Sequence, residues 1–171
     1  MVIDTGVSKV SGPRRKGDIY ELHLLALQCL RMLVEPKIMY VLHEYRPALP
    51  ADDVVVESID KLDCYQAKHA HSSHALLSFQ DLVSETELQL NIRRLKAAWR
   101  SLRPYGKEVY IHIYTNRAAD EELAGLLDGD HLLPAVIDGS SQKRRRSALK
   151  AVTEIPDEDE FRQFLRALRF D

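Results

Sequence analysis

Read for its apolar and polar positions, the chain opens on a polar stretch, residues 1–16, broken at Ser11-Gly12-Pro13. From Ile19 to about Glu35 it is apolar on nearly every side, with Leu22, Leu24, Leu25, Leu27, Leu30, Met32, Leu33 and Val34. This pattern predicts a mostly buried helix, opened by Gly17-Asp18 and closed by Pro36. Ile38 to Tyr45 is rich in β-branched and aromatic residues and predicts a strand ending at Glu44. After the loop 46–50, the carboxylate pair Asp52-Asp53 enters a strand at Val54-Val55-Val56, and a second strand follows over Leu62–Lys68.

Residues 75–104 predict helix in two parts, with capping-box spacing at Ser84 and Glu87. Leu88, Ile92, Leu95, Trp99 and Leu102 form one apolar stripe, in which Trp99 is expected to anchor the core. Val109–Tyr114 is the clearest strand and ends in Thr115-Asn116-Arg117. A short helix is expected around Glu121–Leu127, and Pro134 argues for an edge strand at best over 132–137. A basic loop at 138–147 precedes a last helix, with Asp157 and Glu160 at capping spacing and Phe161, Phe164, Leu165 and Leu168 on its buried face.

With 171 residues and 45% hydrophobic content, the chain can build one ordinary core. The expectation is a basic arm at 1–16, loosely held, and a single domain at 17–171. No stretch approaches the roughly 20 apolar residues of a membrane-spanning helix, and no signal pattern opens the chain, so a cytoplasmic protein without a membrane partner is expected. Cys29 and Cys64 lack metal-ligand spacing and read as small core residues. The net charge of −2 hides basic clusters at Arg14-Arg15-Lys16 and Lys143-Arg144-Arg145-Arg146.

Alternation places Leu62, Cys64, Gln66 and Lys68 on one side of their strand. A buried sheet face seldom carries a Gln and a Lys, and Asp53 stands at the mouth of the preceding strand. Together they offer oxygen ligands for a hard divalent cation, with an ammonium beside them. Asp53, the Gln66 side-chain oxygen and the Ala67 carbonyl are candidate ligands for magnesium, with manganese as a substitute. Lys68 would hold the attacking water or neutralise a phosphate in phosphodiester hydrolysis. Glu21 is a candidate outer ligand, or only a carboxylate complementing a helix dipole in the first turn. Asp52 rivals Asp53, since only one of two successive residues faces the site. His69, His71 and His74 suggest a zinc site or a solvated loop at the rim. Arg93, Lys96, Arg100 and Arg103 form a cation row that is either a solvated face or a set of phosphate contacts. No Gly-rich phosphate-binding loop is present.

The order helix, strand, strand with Asp53, strand with Gln66-x-Lys68, helix, strand resembles the PD-(D/E)xK nuclease superfamily. More closely, Gly17-x-x-Tyr20-Glu21, Glu44 to Asp53, Asp52-Asp53-Val54, Tyr65-Gln66-Ala67-Lys68-His69 and Tyr114-Thr115-Asn116 resemble the branch that supplies N-terminal endonuclease domains to bacterial antiphage effectors. In that branch the nuclease is joined to a CBASS cyclic-nucleotide sensor or to a STAND NTPase sensor. The resemblance implies an α/β fold with a restriction-endonuclease-like αβββαβ core, a mixed central sheet flanked by helices. It also implies a magnesium-dependent endonuclease that cuts double-stranded DNA with little sequence preference, active as a homo-oligomer assembled by a C-terminal sensor domain outside this chain. Arg93, Lys96, Arg100, Arg103, Lys143, Arg144, Arg145 and Arg146 are the candidate DNA contacts. The alternative is a catalytically silent module of the same fold that binds DNA or mediates assembly.

Overall fold

The structure is a computed structural model that describes residues 12–70, 75–84 and 90–171, with side chains from Gly17 onward. Helix α1 (Gly12–Val34) leads into strands β1 (Ile38–His43), β2 (Val54–Ser58) and β3 (Lys61–Lys68). Helices α2 (Phe79–Val83) and α3 (Ile92–Leu102) cross over to β4 (Glu108–Thr115). Helix α4 (Glu121–Ala124), a small hairpin of β5 (Leu127–Asp128) and β6 (His131–Leu132), and helices α5 (Pro134–Asp138), α6 (Lys143–Thr153) and α7 (Glu158–Ala167) follow, before β7 (Leu168–Phe170).

The sheet order is β1-β2-β3-β4-β7. Its first three strands are antiparallel, and β4 and β7 join parallel to β3 and to each other. This is a mixed sheet flanked by helices with a restriction-endonuclease-like αβββαβ core, as expected from the sequence. Both faces are covered, which is why Val54, Val55 and Val56 form an unbroken apolar run rather than alternating. Val54, Val56 and Tyr65 pack beneath α1 with Leu24 and Ile38. Val55, Leu62, Cys64, Ile111 and Ile113 face the other layer, where Trp99 of α3 meets Phe164 of α7 at a ring distance of 5.5 Å. Trp99 is the core anchor its stripe predicted.

Several boundaries differ from the sequence reading. Helix α1 starts at Gly12, so residues 12–16 are helical, and residues 1–11 lie outside the described part. Glu21 therefore sits in the third turn of α1, away from the N-terminal dipole charge. The helix is also not buried all round: Leu24 and Gln28 are buried, whereas Leu22, Leu30, Leu33 and Val34 are exposed. Cys29 shares that exposed side, and only Cys64 is a core cysteine. The capping box belongs to Ser78 and Asp81 at α2, Ser84 follows that helix, and Asn91 caps α3. Glu87 and Leu88 lie outside the described residues. Pro134 occupies the first turn of α5, where a missing N–H costs nothing, instead of an edge strand. The basic segment from Lys143 onward is helix α6, not loop. Asp157 caps α7 as its spacing predicted, accepting a hydrogen bond from the Glu160 amide at 2.7 Å.

Candidate functional site

Strands β2 and β3 bring the two halves of the motif together. Their register pairs Val54 with Tyr65, so Asp53, one residue before, comes level with Gln66. The Asp53 carboxylate accepts hydrogen bonds from the Ala67 backbone N–H at 2.7 Å and from the Gln66 side-chain N–H. Of the two successive carboxylates, it is Asp53 that turns to β3. Asp52 fixes the approach by backbone, its carbonyl accepting from the Tyr45 N–H at 3.1 Å. Gln66 is buried at the strand end, and Lys68 is exposed two residues on. Both line one small notch with Pro50, Asn91 and Arg94, so they share a face as alternation required.

Helix α1 carries Glu21 to the same corner. Its carboxylate lies 2.9 Å from His43 Nε2 at the end of β1. Glu21, His43 and Glu44 place one ligand atom each within 4.8 Å of one another. His43 was not singled out from the sequence, and Glu44 was named there as the strand end that leads to Asp53 but not as a ligand. The signal was available, since β1 ends beside the strand that Asp53 enters, and Glu44 donates its backbone N–H to the Asp53 carbonyl.

The electrostatics follow from crowding carboxylates at a half-buried strand end. Burial pushes the Asp53 carboxyl up to about 6, and the negative charges of Glu21 and Asp52 add to this, against the Ala67 N–H and Lys68. Asp52 is raised as well, by burial and by Glu44, with Lys68 and Arg94 opposing. Excess negative charge of this kind favours a bound cation, and the oxygen-rich donor set fits a hard one. Asp53 and Glu21 carry the carboxylates the sequence nominated, but the group whose ligand atoms lie within 4.8 Å of one another is Glu21, His43 and Glu44, and it does not include Asp53. The Gln66 amide presents its nitrogen to Asp53, so ligation through its oxygen requires the amide to turn over. At Ala67 it is the amide N–H that meets Asp53.

Residues named in the resemblance converge around this corner. Tyr20 of α1 stacks on Tyr114 of β4 at 5.1 Å and meets the His69 ring edge-on at 5.4 Å. Asn116 clamps the chain after β3, its Oδ1 accepting from the Ala70 N–H at 2.8 Å. His71 and His74 lie outside the described residues, which leaves His69 packed on an aromatic ring as the described member of the trio.

The cation row of α3 turns to α6 and α7. Arg93 pairs with Glu154 at 2.5 Å, Lys96 donates to the Thr153 carbonyl at 2.5 Å, and Arg100 forms two 2.8 Å bonds to Glu160. Arg103 donates to Gln163 at 3.1 Å and lies over the Trp99 ring. In the second basic cluster Arg145 pairs with Glu122 and Arg146 with Glu158, while Lys143 and Arg144 are exposed. Arg94, one step from the row, is the α3 cation that reaches the notch beside Gln66 and Lys68.

A cleft of about 970 Å³ lies elsewhere, between α3, β4 and α7, and contains none of Glu21, Asp53, Gln66 or Lys68. The chemistry-bearing groups sit at the opposite, C-terminal ends of β3 and β4. No known protein family matches the chain, and comparison with curated proteins finds none similar to it.

Proposed function

We propose that this domain is a metal-dependent endonuclease that hydrolyses the phosphodiester bonds of double-stranded DNA. The observation that carries the reading is the meeting of Asp53, Gln66 and Lys68 at adjacent strand ends of a restriction-endonuclease-like sheet, with Glu21 delivered by α1. Asp53 and Glu21 would hold a magnesium or manganese ion, with the Gln66 oxygen after rotation of its amide and the Ala67 carbonyl completing the set. A divalent ion at such a site supplies an acidic water and stabilises charge on the leaving oxygen. Lys68, a compact ammonium at an open strand end, orients the attacking water and offsets negative charge on the phosphate. The Ala67 N–H keeps Asp53 aimed when the Gln66 amide turns away.

The resemblance extends the proposal to a role as effector domain of a bacterial antiphage system, assembled by a sensor domain outside these residues. A second reading, a silent module of the same fold, draws on one observation. One Asp53 oxygen, Oδ2, accepts from both the Gln66 side-chain and the Ala67 backbone N–H groups, a role that a purely structural carboxylate would also fill.

Plasmid cleavage decides between the two. The chain is incubated with magnesium, with EDTA, and as the Lys68→Ala variant, alone and fused to a constitutive oligomer. The active reading expects magnesium-dependent cutting that Lys68→Ala abolishes while circular dichroism is unchanged. Equal cutting by Lys68→Ala would sink the site assignment, and no cutting even by the oligomeric fusion would favour the silent module.

A further inference from the structure

Arg94 stands apart from the other cations of α3. Arg93, Lys96, Arg100 and Arg103 are engaged with α6 and α7, whereas the exposed Arg94 side chain has no hydrogen bond or ion pair among the described residues. It is the third residue of α3, in the turn that Asn91 caps, and no acid lies in that turn. A cation there opposes the helix dipole, so the helix itself gains nothing from Arg94.

We propose that Arg94 and Lys68 together grip the substrate phosphodiester, one of whose non-bridging oxygens enters the notch between them. The inference rests on the nuclease reading for its ligand. The notch holds about 20 Å³, room for one water-sized atom. A base or a sugar cannot enter it, but a single phosphate oxygen can. Its apolar walls, Pro50, Leu90 and Leu95, offer an anion nothing, so the polar contacts fall to Lys68, Arg94 and Asn91. Asn91 Oδ1 already accepts from the Arg94 backbone N–H at 3.3 Å, which leaves the Asn91 amide nitrogen as its donor to the notch. Gln66, at the back, turns its own nitrogen to Asp53.

Charge suits this ligand. Both cations act on Asp52, and Lys68 acts on Asp53 as well, yet neither comes within ion-pair distance of a carboxylate among the described residues. Both therefore remain available to an anion, and a phosphate held between them sits beside the carboxylate proposed to hold the metal. The planar guanidinium gives two parallel N–H bonds to a phosphate, while the Lys68 ammonium acts as a point charge. In hydrolysis the oxygen of water bonds to phosphorus and the phosphorus–oxygen bond to one sugar breaks. One water proton ends on that sugar oxygen and the other is released to solvent. Negative charge on the non-bridging oxygens grows during the step, and donors already in place stabilise it. Arg94 is thus a substrate contact that α3 adds to a site otherwise built from α1 and the strand ends.

Fluorescence anisotropy of a labelled DNA duplex in EDTA, over a series of salt concentrations, tests the inference by binding alone. Arg94→Ala should weaken binding about tenfold, equally for unrelated sequences and with unchanged circular dichroism, while Arg93→Ala should change it less than about twofold. Arg94→Lys should recover part of the loss, since it restores the charge but not the fork. Because both side chains hold one phosphate, Arg94→Ala with Lys68→Ala should cost less than the product of the two separate losses. An Arg94→Ala loss no greater than that of Arg93→Ala, or losses that simply multiply, overturns the inference and leaves the nuclease reading standing. A chain that binds DNA through Arg94 and Lys68 as expected, but never cuts it, fails that reading and keeps the inference. A chain that binds no duplex even at low salt overturns both.

Discussion

At the scale of single residues, Asp53 and His112 pull stability the same way with pH, both lowering it as pH rises, by different routes. The Asp53 carboxyl is raised to about 6 by burial, with Glu21 next in the same direction. Its ionised form is therefore disfavoured in the fold, a penalty present above pH 6 and absent once the group is protonated. Asp53→Asn should stabilise the metal-free chain near pH 8 by on the order of 1–3 kcal/mol, and the gain should vanish by about pH 4. Thermal melts in EDTA at the two pH values check this, and the same variant should lose magnesium-dependent cleavage. His112 lies between Asp171, 2.5 Å from Nδ1, and Asp63, 3.2 Å from Nε2, with Tyr65 stacked on its ring. Burial opposes its charge, but the bonds to Asp171 and Asp63 win and raise its pKa. A raised histidine contributes stability fully present below its ordinary value of about 6.5 and lost as pH climbs through the folded value. His112→Gln should thus cost most in mildly acidic buffer and progressively less above neutrality, as read from denaturant midpoints.

At the scale of elements, α3 separates packing from charge. Trp99 is 4% exposed against Phe164, so Trp99→Ala should cost about 3–5 kcal/mol in urea unfolding. Arg100 and Glu160 are bonded in a fork yet open to solvent, and a double-mutant cycle should give a coupling of no more than about 1 kcal/mol. Because the row is already engaged with α6 and α7, DNA affinity should fall further for Lys143→Ala with Arg144→Ala than for Arg93→Ala with Arg100→Ala. Binding measured against salt concentration compares the two pairs. The elements legible in the sequence were those whose own residues settle the matter: the valine run of β2, the alternation that set Gln66 and Lys68 together, and the Trp99 stripe. Those missed depend on partners distant in the chain. Helix α6 has a weak apolar face, and of its basic start Arg145 and Arg146 are paired with Glu122 and Glu158. A helix apolar all round gives no sign of which side meets the sheet, and α1 is oriented by the strands beneath it. At the site, Asp53 and Gln66 were readable from spacing, whereas His43, Glu44 and Arg94 join it only through strand pairing and helix placement.

At the scale of the whole molecule, β7 closes the sheet. Leu168 is fully buried, and Asp171 both extends the pairing to β4 and grips His112. A chain ending at Ala167 should lose these contacts together, on the order of 4 kcal/mol, and melt roughly 10 °C lower by differential scanning calorimetry. The same closure has a consequence during synthesis. Strands β1 to β3 can pair soon after they leave the ribosome, but one margin of β4 stays unpaired until residues 168–171 have also emerged. At about 5–20 residues per second the nascent domain spends several seconds with that margin bare, an interval in which a chaperone has a strand edge to hold.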